Sequence, residues 1–212
     1  MTELKKPENK NFNLTVTLQK AIENFTAKSP QEMAQKSGCI FDEERKCFYV
    51  NCIGQNFSIG YPKGNIQRVD DSNKEVPLIW QILMLHYLTE AKGTPLQNKV
   101  ISYKELPGGN IYIDPFNKRT LKPLLKIFGN NPEKLLAVGE KLNGKPANYG
   151  DYSITIKSLP RAPITYVLWQ GDDEFPASGN VLFDASAPDY LHTEDYAFLA
   201  SFTVYEMAKH LS

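Results

Sequence analysis

The chain has 212 residues, 42% apolar, 23% charged and 11% aromatic, with a formal net charge of zero. That composition can bury a proper core and excludes a disordered chain, and without a basic run or an arginine-rich stripe a nucleic-acid binder is not expected. The zero balance conceals an asymmetry: residues 162–212 hold eight acids and one base, Lys209, so the compensating basic excess lies in residues 1–161.

The opening segment, MTELKKPENKNFNL, has no apolar run of the signal-peptide kind. A cytoplasmic protein is expected from this, with no glycan meaning for the sequons at Asn13 and Asn24. Residues 1–37 are expected to form an N-terminal helical segment ahead of one α+β domain over 38–212. Leu14, Val16, Leu18, Ala21, Ile22 and Phe25 mark the stripe of a first helix up to Ala27. Ser29 and Pro30 then supply the N-cap and first position of a short helix that Ser37 and Gly38 end.

From Cys39 the period changes to two. Residues 39–41, 47–53 and 56–61 read as a three-stranded antiparallel meander, with turns at Asp42–Lys46 and Gly54-Gln55. Cys39, Cys47 and Cys52 follow a C-x7-C-x4-C spacing that matches no zinc or ferredoxin run. On a regular strand Cys47 and Cys52 face opposite ways, so buried, inert thiols are expected. Pro77 opens the most hydrophobic element, PLIWQILMLHYLTEA. It is too short to cross a bilayer and apolar nearly all round, which marks a central buried helix. His86 falls on its apolar side, as a core histidine satisfied by one hydrogen bond.

Lys99–Leu106 reads as a strand, followed by a Pro107-Gly108-Gly109 turn. No helix start follows those glycines, which argues against a phosphate cradle. Amphipathic helices are expected over 118–128 and 132–142, then strands at 152–156 and 164–169. Pro160-Arg161-Ala162-Pro163 between these strands reads as a wide loop, 171–179 as another, and 181–184 as a short strand. Thr193 is placed as the cap of a final helix over 194–211 whose core stripe is Phe198, Phe202, Tyr205 and Ala208. The fold class is α+β, with antiparallel sheet packed against the buried central helix and the long C-terminal helix.

Several of these segments carry a resemblance. They are Pro160-Arg161-x-Pro163, Val167-Leu168-Trp169-x-Gly171-Asp172-x-Glu174-Phe175-Pro176, Leu182-Phe183-Asp184-Ala185-Ser186 and Leu191-x-Thr193-Glu194-Asp195. With Tyr103–Gly109 and the Pro77–Leu88 helix, they make the chain similar to domain-of-unknown-function family 3786 over roughly 38–211. The resemblance implies a protein of anaerobes, in a family where some members carry an iron–sulfur module or names suggesting Fe–S and B12 binding. A corrinoid or other tetrapyrrole is the cofactor class it suggests. An iron–sulfur cluster is not expected, because the clustered cysteines of such a module are absent. The D-x-H-x-x-G signature of base-off corrinoid proteins is also missing.

The candidate site is drawn from the acidic, aromatic C-terminal region: Trp169, Asp172, Glu174, Phe175, Asp184, Tyr190 and His192. His192, just before a helix, is a candidate axial ligand. The acids suit a hard cation if Asp184 or Asp151 completes the shell, or general acid–base work if one is buried. No metal ligand is assigned. A triad of Ser186, His192 and Asp184 lacks any strained serine elbow. Two functions are carried forward. The first is a cofactor- or small-ligand-binding protein, with catalysis left open. The second is a protein-interaction module whose acidic C-terminal face docks a basic partner.

Overall fold

A computed structural model describes residues 10–211, with side chains from Leu14 onward. The opening segment and the Asn13 sequon lie outside the residues whose side chains are described. The fold is α+β, built from two all-antiparallel sheets with helices packed between and against them.

Helix α1 (Lys10–Thr26) buries Ala21 and Phe25. Helix α2 (Pro30–Ser37) is capped as its sequence demands. The Glu32 amide donates to Ser29 Oγ at 3.4 Å, and Gly38 closes the helix at φ 74°. The first sheet runs in the order β1 (Ile40–Asp42), β2 (Cys47–Cys52), β3 (Gln55–Gly60), β4 (Ile66–Arg68). It adds a fourth strand to the meander expected, one of three residues and too short to show a period.

The β2–β3 turn falls one residue earlier than expected, on Ile53-Gly54, both at positive φ (52° and 74°). This left-handed pair fits the strand twist, though it is costly for a β-branched residue. Ile53 is held there by full burial and by its N–H, which donates to Ser158 O at 2.8 Å and ties the two sheets together.

Helix α3 (Leu78–Glu90) is the central buried helix. It packs on α1, and Trp80 stacks on Phe202 of the C-terminal helix at 5.1 Å. The second sheet runs β5-β9-β8-β7-β6, with β5 Val100–Ser102, β6 Lys145–Pro146, β7 Tyr152–Leu159, β8 Ala162–Trp169 and β9 Ser178–Asp184. Strand β5 is shorter than expected because Ser102 and Glu105 form a reciprocal capping box that starts a 3-10 turn at Tyr103.

The Pro160 segment is a tight hairpin, not a wide loop: Leu159 pairs with Ala162, and only Pro160 and Arg161 connect the strands. Pro160 suits the second position of such a turn, and a bulge between Lys157 and Leu159 takes up the twist.

Helical structure begins earlier than expected. Helix α4 (Ile113–Phe116) runs through a π-helical segment (Asn117–Leu121) into α5 (Lys122–Phe128). Pro123 has no N–H for the Arg119 carbonyl, which instead accepts from Ser201 Oγ at 2.9 Å. Helix α6 (Glu133–Lys141) follows, and α7 (Thr193–Ala208) closes the described chain.

The cap of α7 is His192, because the Thr193 hydroxyl donates to Pro107 O at 2.7 Å instead. Its buried stripe is Tyr196, Leu199, Ala200, Thr203, Val204 and Met207, whereas Tyr205 is exposed. The aromatic spacing picked out the edge of the buried face: Phe202 packs on the core, and Phe198 and Ala208 are half-buried. One buried hydrophobic cluster runs from Ala21 in α1 to Met207 in α7. No helix of the described residues is long and apolar enough to cross a membrane.

Candidate functional site

The seven residues singled out from sequence fall in three places. Trp169, Asp172, Glu174 and Phe175 sit at the loop end of the β8–β9 hairpin and are exposed, Phe175 at 68%. Asp172 Oδ1 accepts from the Glu174 and Phe175 amides (2.9 and 2.7 Å), which closes the loop and holds its carboxyl below the usual carboxylate range.

Asp184 and Tyr190 belong to a second, structural group. Burial works against the charged form of Asp184. The Ser186 hydroxyl (2.6 Å) and the amides of Gln97 (3.0 Å), Ser186 (2.9 Å) and Asn98 (2.8 Å) together outweigh it, so its carboxyl stays below the ordinary range. Tyr190 is fully buried, stacked on Tyr87 at 6.1 Å, and its hydroxyl donates to Thr94 O. Both residues fasten the segment after α3 to the segment after β9, and neither is free to meet a ligand.

His192 stands apart from all of them. It lines a cavity of about 250 Å3 with Pro107, Tyr112, Pro188, Leu191 and Glu194. A second cavity, of about 240 Å3, adjoins it through Tyr112 and Glu194 and is completed by Tyr103, Phe116 and Arg119. The partner of His192 is not Asp184 or Asp172 but His86, edge-on with ring centroids 6.4 Å apart. His86 Nδ1 faces both Asp195 oxygens, at 3.0 and 3.2 Å, and its Nε2 has no hydrogen-bond partner among the described residues. The Asp195 hydrogen bond raises the His86 imidazole above its ordinary value, against the opposing effect of burial, and the Glu90 and Glu194 carboxylates add to the rise.

The 3-10 turn and the glycine turn after it build the wall of this cleft. Tyr103 stacks on Phe116 at 3.9 Å and donates to Thr193 O at 3.2 Å. Burial, and then the Glu194 carboxylate, push its phenol up to about 12, so it is a donor at neutral pH. Gly109 is required here, because a Cβ would fall on the Tyr103 carbonyl.

Larger concavities exist elsewhere. A groove of about 480 Å3 is lined by Lys118, Lys122, Lys126, Pro123, Ile127 and Tyr205. It lacks the convergent imidazole and carboxylate groups that mark a site of chemistry.

Cys39 and Cys52 are buried, with the Cys39 thiol pushed by burial up to about 11 and that of Cys52 also driven upward. They are poor thiolate ligands. Among the described residues, no group of three or more His, Cys, Asp or Glu side chains is placed to hold a metal ion. The residues present do not fit an iron–sulfur cluster.

Comparison with known proteins supplies one match: residues 29–206 fit the model of a domain of unknown function, DUF3786. The chain belongs to this family. No curated protein and no solved structure gives a match. The DUF3786 region begins at Ser29, the N-cap of α2, and ends at Glu206 in the last turn of α7, so it includes the whole cleft.

Proposed function

We propose that this DUF3786 protein binds a small ligand in the cleft at the N-terminal end of α7. One observation carries the reading. A carboxylate, Asp195, holds His86 through Nδ1 and leaves Nε2 without a hydrogen-bond partner among the described residues, and His192, which lines the cleft, lies edge-on to that ring at 6.4 Å. A histidine oriented in this way has a fixed tautomer and presents one nitrogen for donation or acceptance. Apolar walls with a few convergent polar groups are the usual make-up of a ligand site.

The size of the cleft favours a small molecule over a macrocycle. Pockets for drug-sized ligands span about 300–1,000 Å3, and the cavity beside His192 is about 250 Å3. A corrinoid or tetrapyrrole would have to lie across its mouth. The interaction-module reading has less support, because half of the eight acids it needs are buried or engaged. Asp184, Asp195 and Glu206 are buried, and Asp189 is engaged by Lys92 at 2.9 Å and Thr94 at 2.8 Å.

Phenol is a suitable probe of the cleft, in a proton–nitrogen correlation NMR titration of the full chain. Saturable shifts are expected to gather at Tyr112, Leu191, His192 and Glu194, and to weaken in His192→Ala. Shifts that gather in the lysine groove, or scatter over the surface, would refute the assignment. Titration with hydroxocobalamin, read in the visible spectrum, tests the macrocycle. A spectral change that disappears in His192→Ala would restore the axial-ligand role.

A further inference from the structure

We propose that the ligand of this cleft is a small zwitterion, with a carboxylate and an ammonium group separated by a short linker. The proposal rests on the reading of the cleft as a ligand site and names the class of molecule it takes. Arg119 and Glu194 line the same cavity of about 240 Å3, yet neither forms an ion pair with the other or with any described residue. Opposite charges that share a cavity without closing on each other leave room for the two charges of a guest.

Each charge has its own setting. The Arg119 guanidinium lies 5.0 Å over the Phe198 ring. Glu194 is held in the first turn of α7, where the helix dipole favours its negative charge. A guanidinium fork suits a carboxylate, whereas Glu194 offers two acceptor oxygens to an ammonium group. Tyr103, Tyr112 and Phe116 line the same cavity, aromatic walls for an apolar linker. Tyr112 and Glu194 also line the cavity of His192, so a ligand held at Glu194 lies next to that imidazole.

The test is an NMR titration of the full chain with ω-amino acids of increasing length: glycine, β-alanine, γ-aminobutyrate and δ-aminovalerate. Butanoate and butylamine serve as singly charged comparisons. One length is expected to give saturable shifts at Tyr112 and Glu194 and to bind at least about tenfold more tightly than either singly charged compound. Arg119→Gln and Glu194→Gln should each lose that advantage. Arg119→Lys, which keeps the charge without the fork, should recover part of it. Equal affinity for butanoate or butylamine, or an advantage that survives both substitutions, overturns the proposal. The phenol experiment separates the two levels of the argument. Phenol in the cleft with no gain for any ω-amino acid removes the zwitterion and leaves the site. Phenol elsewhere removes the site as well.

Discussion

Replacing Asp184 with alanine is expected to lower the unfolding free energy by about 3–4 kcal/mol, since several backbone amides lose their acceptor at once. Asp184 is buried and accepts from Gln97, Asn98 and Ser186 amides as well as the Ser186 hydroxyl. No other acceptor takes these amides in the fold described. Amide hydrogen exchange should quicken first at Gln97 and Asn98, because these residues hold the loop that leads into β5. Asp184→Asn keeps one acceptor oxygen and should cost roughly half as much. The pH dependence has a definite sign. A carboxyl held below its ordinary value contributes stability that is complete above about pH 3.9 and lost as the pH falls through its own lower midpoint. Wild type and Asp184→Ala should therefore converge only in strong acid. A loss under about 1 kcal/mol in denaturant unfolding would show that the loop does not depend on this carboxylate.

Tyr87→Phe should cost about 2–3 kcal/mol, a large effect for the loss of one oxygen. The Tyr87 side chain is fully buried in the last turn of α3. Its hydroxyl donates to Ser37 O at 2.6 Å and accepts from the Arg161 amide at 2.8 Å. One atom thus joins the end of α2 to the β7–β8 turn, and burial drives its ionisation far upward, so it remains a neutral donor. Phenylalanine fills the same space but strands a buried carbonyl and a buried amide. Arg161 gives partial cover, since its guanidinium also donates to Lys36 O (3.1 Å) and Gly93 O (3.2 Å). A urea midpoint unchanged from wild type would contradict the assignment of Tyr87 as this joint.

Elements whose cause is local could be read from the sequence. The apolar run of α3, the period of two in β2 and β3, and the Ser29–Pro30 cap all appear where expected. Two errors have local causes that periodicity does not show: the bulge beside Pro160 and the Ser102–Glu105 capping box that ends β5. Others arise where a distant partner decides. The π-helical segment follows from Pro123 together with Ser201 on another helix. The cap of α7 passes to His192 because Pro107 takes the Thr193 hydroxyl.

The site was harder to read for the same reason. Asp172, Glu174 and Asp184 look like a functional cluster along the chain, but Asp172 is taken by the amides of its own loop and Asp184 by the distant Gln97 and Asn98 amides. His86 does have a single hydrogen-bond partner, as expected of a core histidine. That partner, Asp195, lies 109 residues away. No spacing rule links those two positions, and only the packing of α3 against α7 brings them together.

The most direct measurement is the titration of His86, followed through its ring nitrogens by NMR in wild type and in Asp195→Asn. The predicted midpoint lies above the ordinary imidazole value of about 6.5, with the Nδ1 proton directed at Asp195. In Asp195→Asn it should fall, because the largest cause of the rise is removed while burial still acts against the charged form. A raised midpoint also fixes the sign of the stability effect. The pair contributes fully below about pH 6.5, and its contribution disappears as the pH rises through the His86 midpoint. The stability gap between wild type and Asp195→Asn should therefore narrow toward alkaline pH. A midpoint at or below the ordinary value that Asp195→Asn leaves unchanged would mean that no carboxylate orients this ring, and the case for a ligand site beside it would fail.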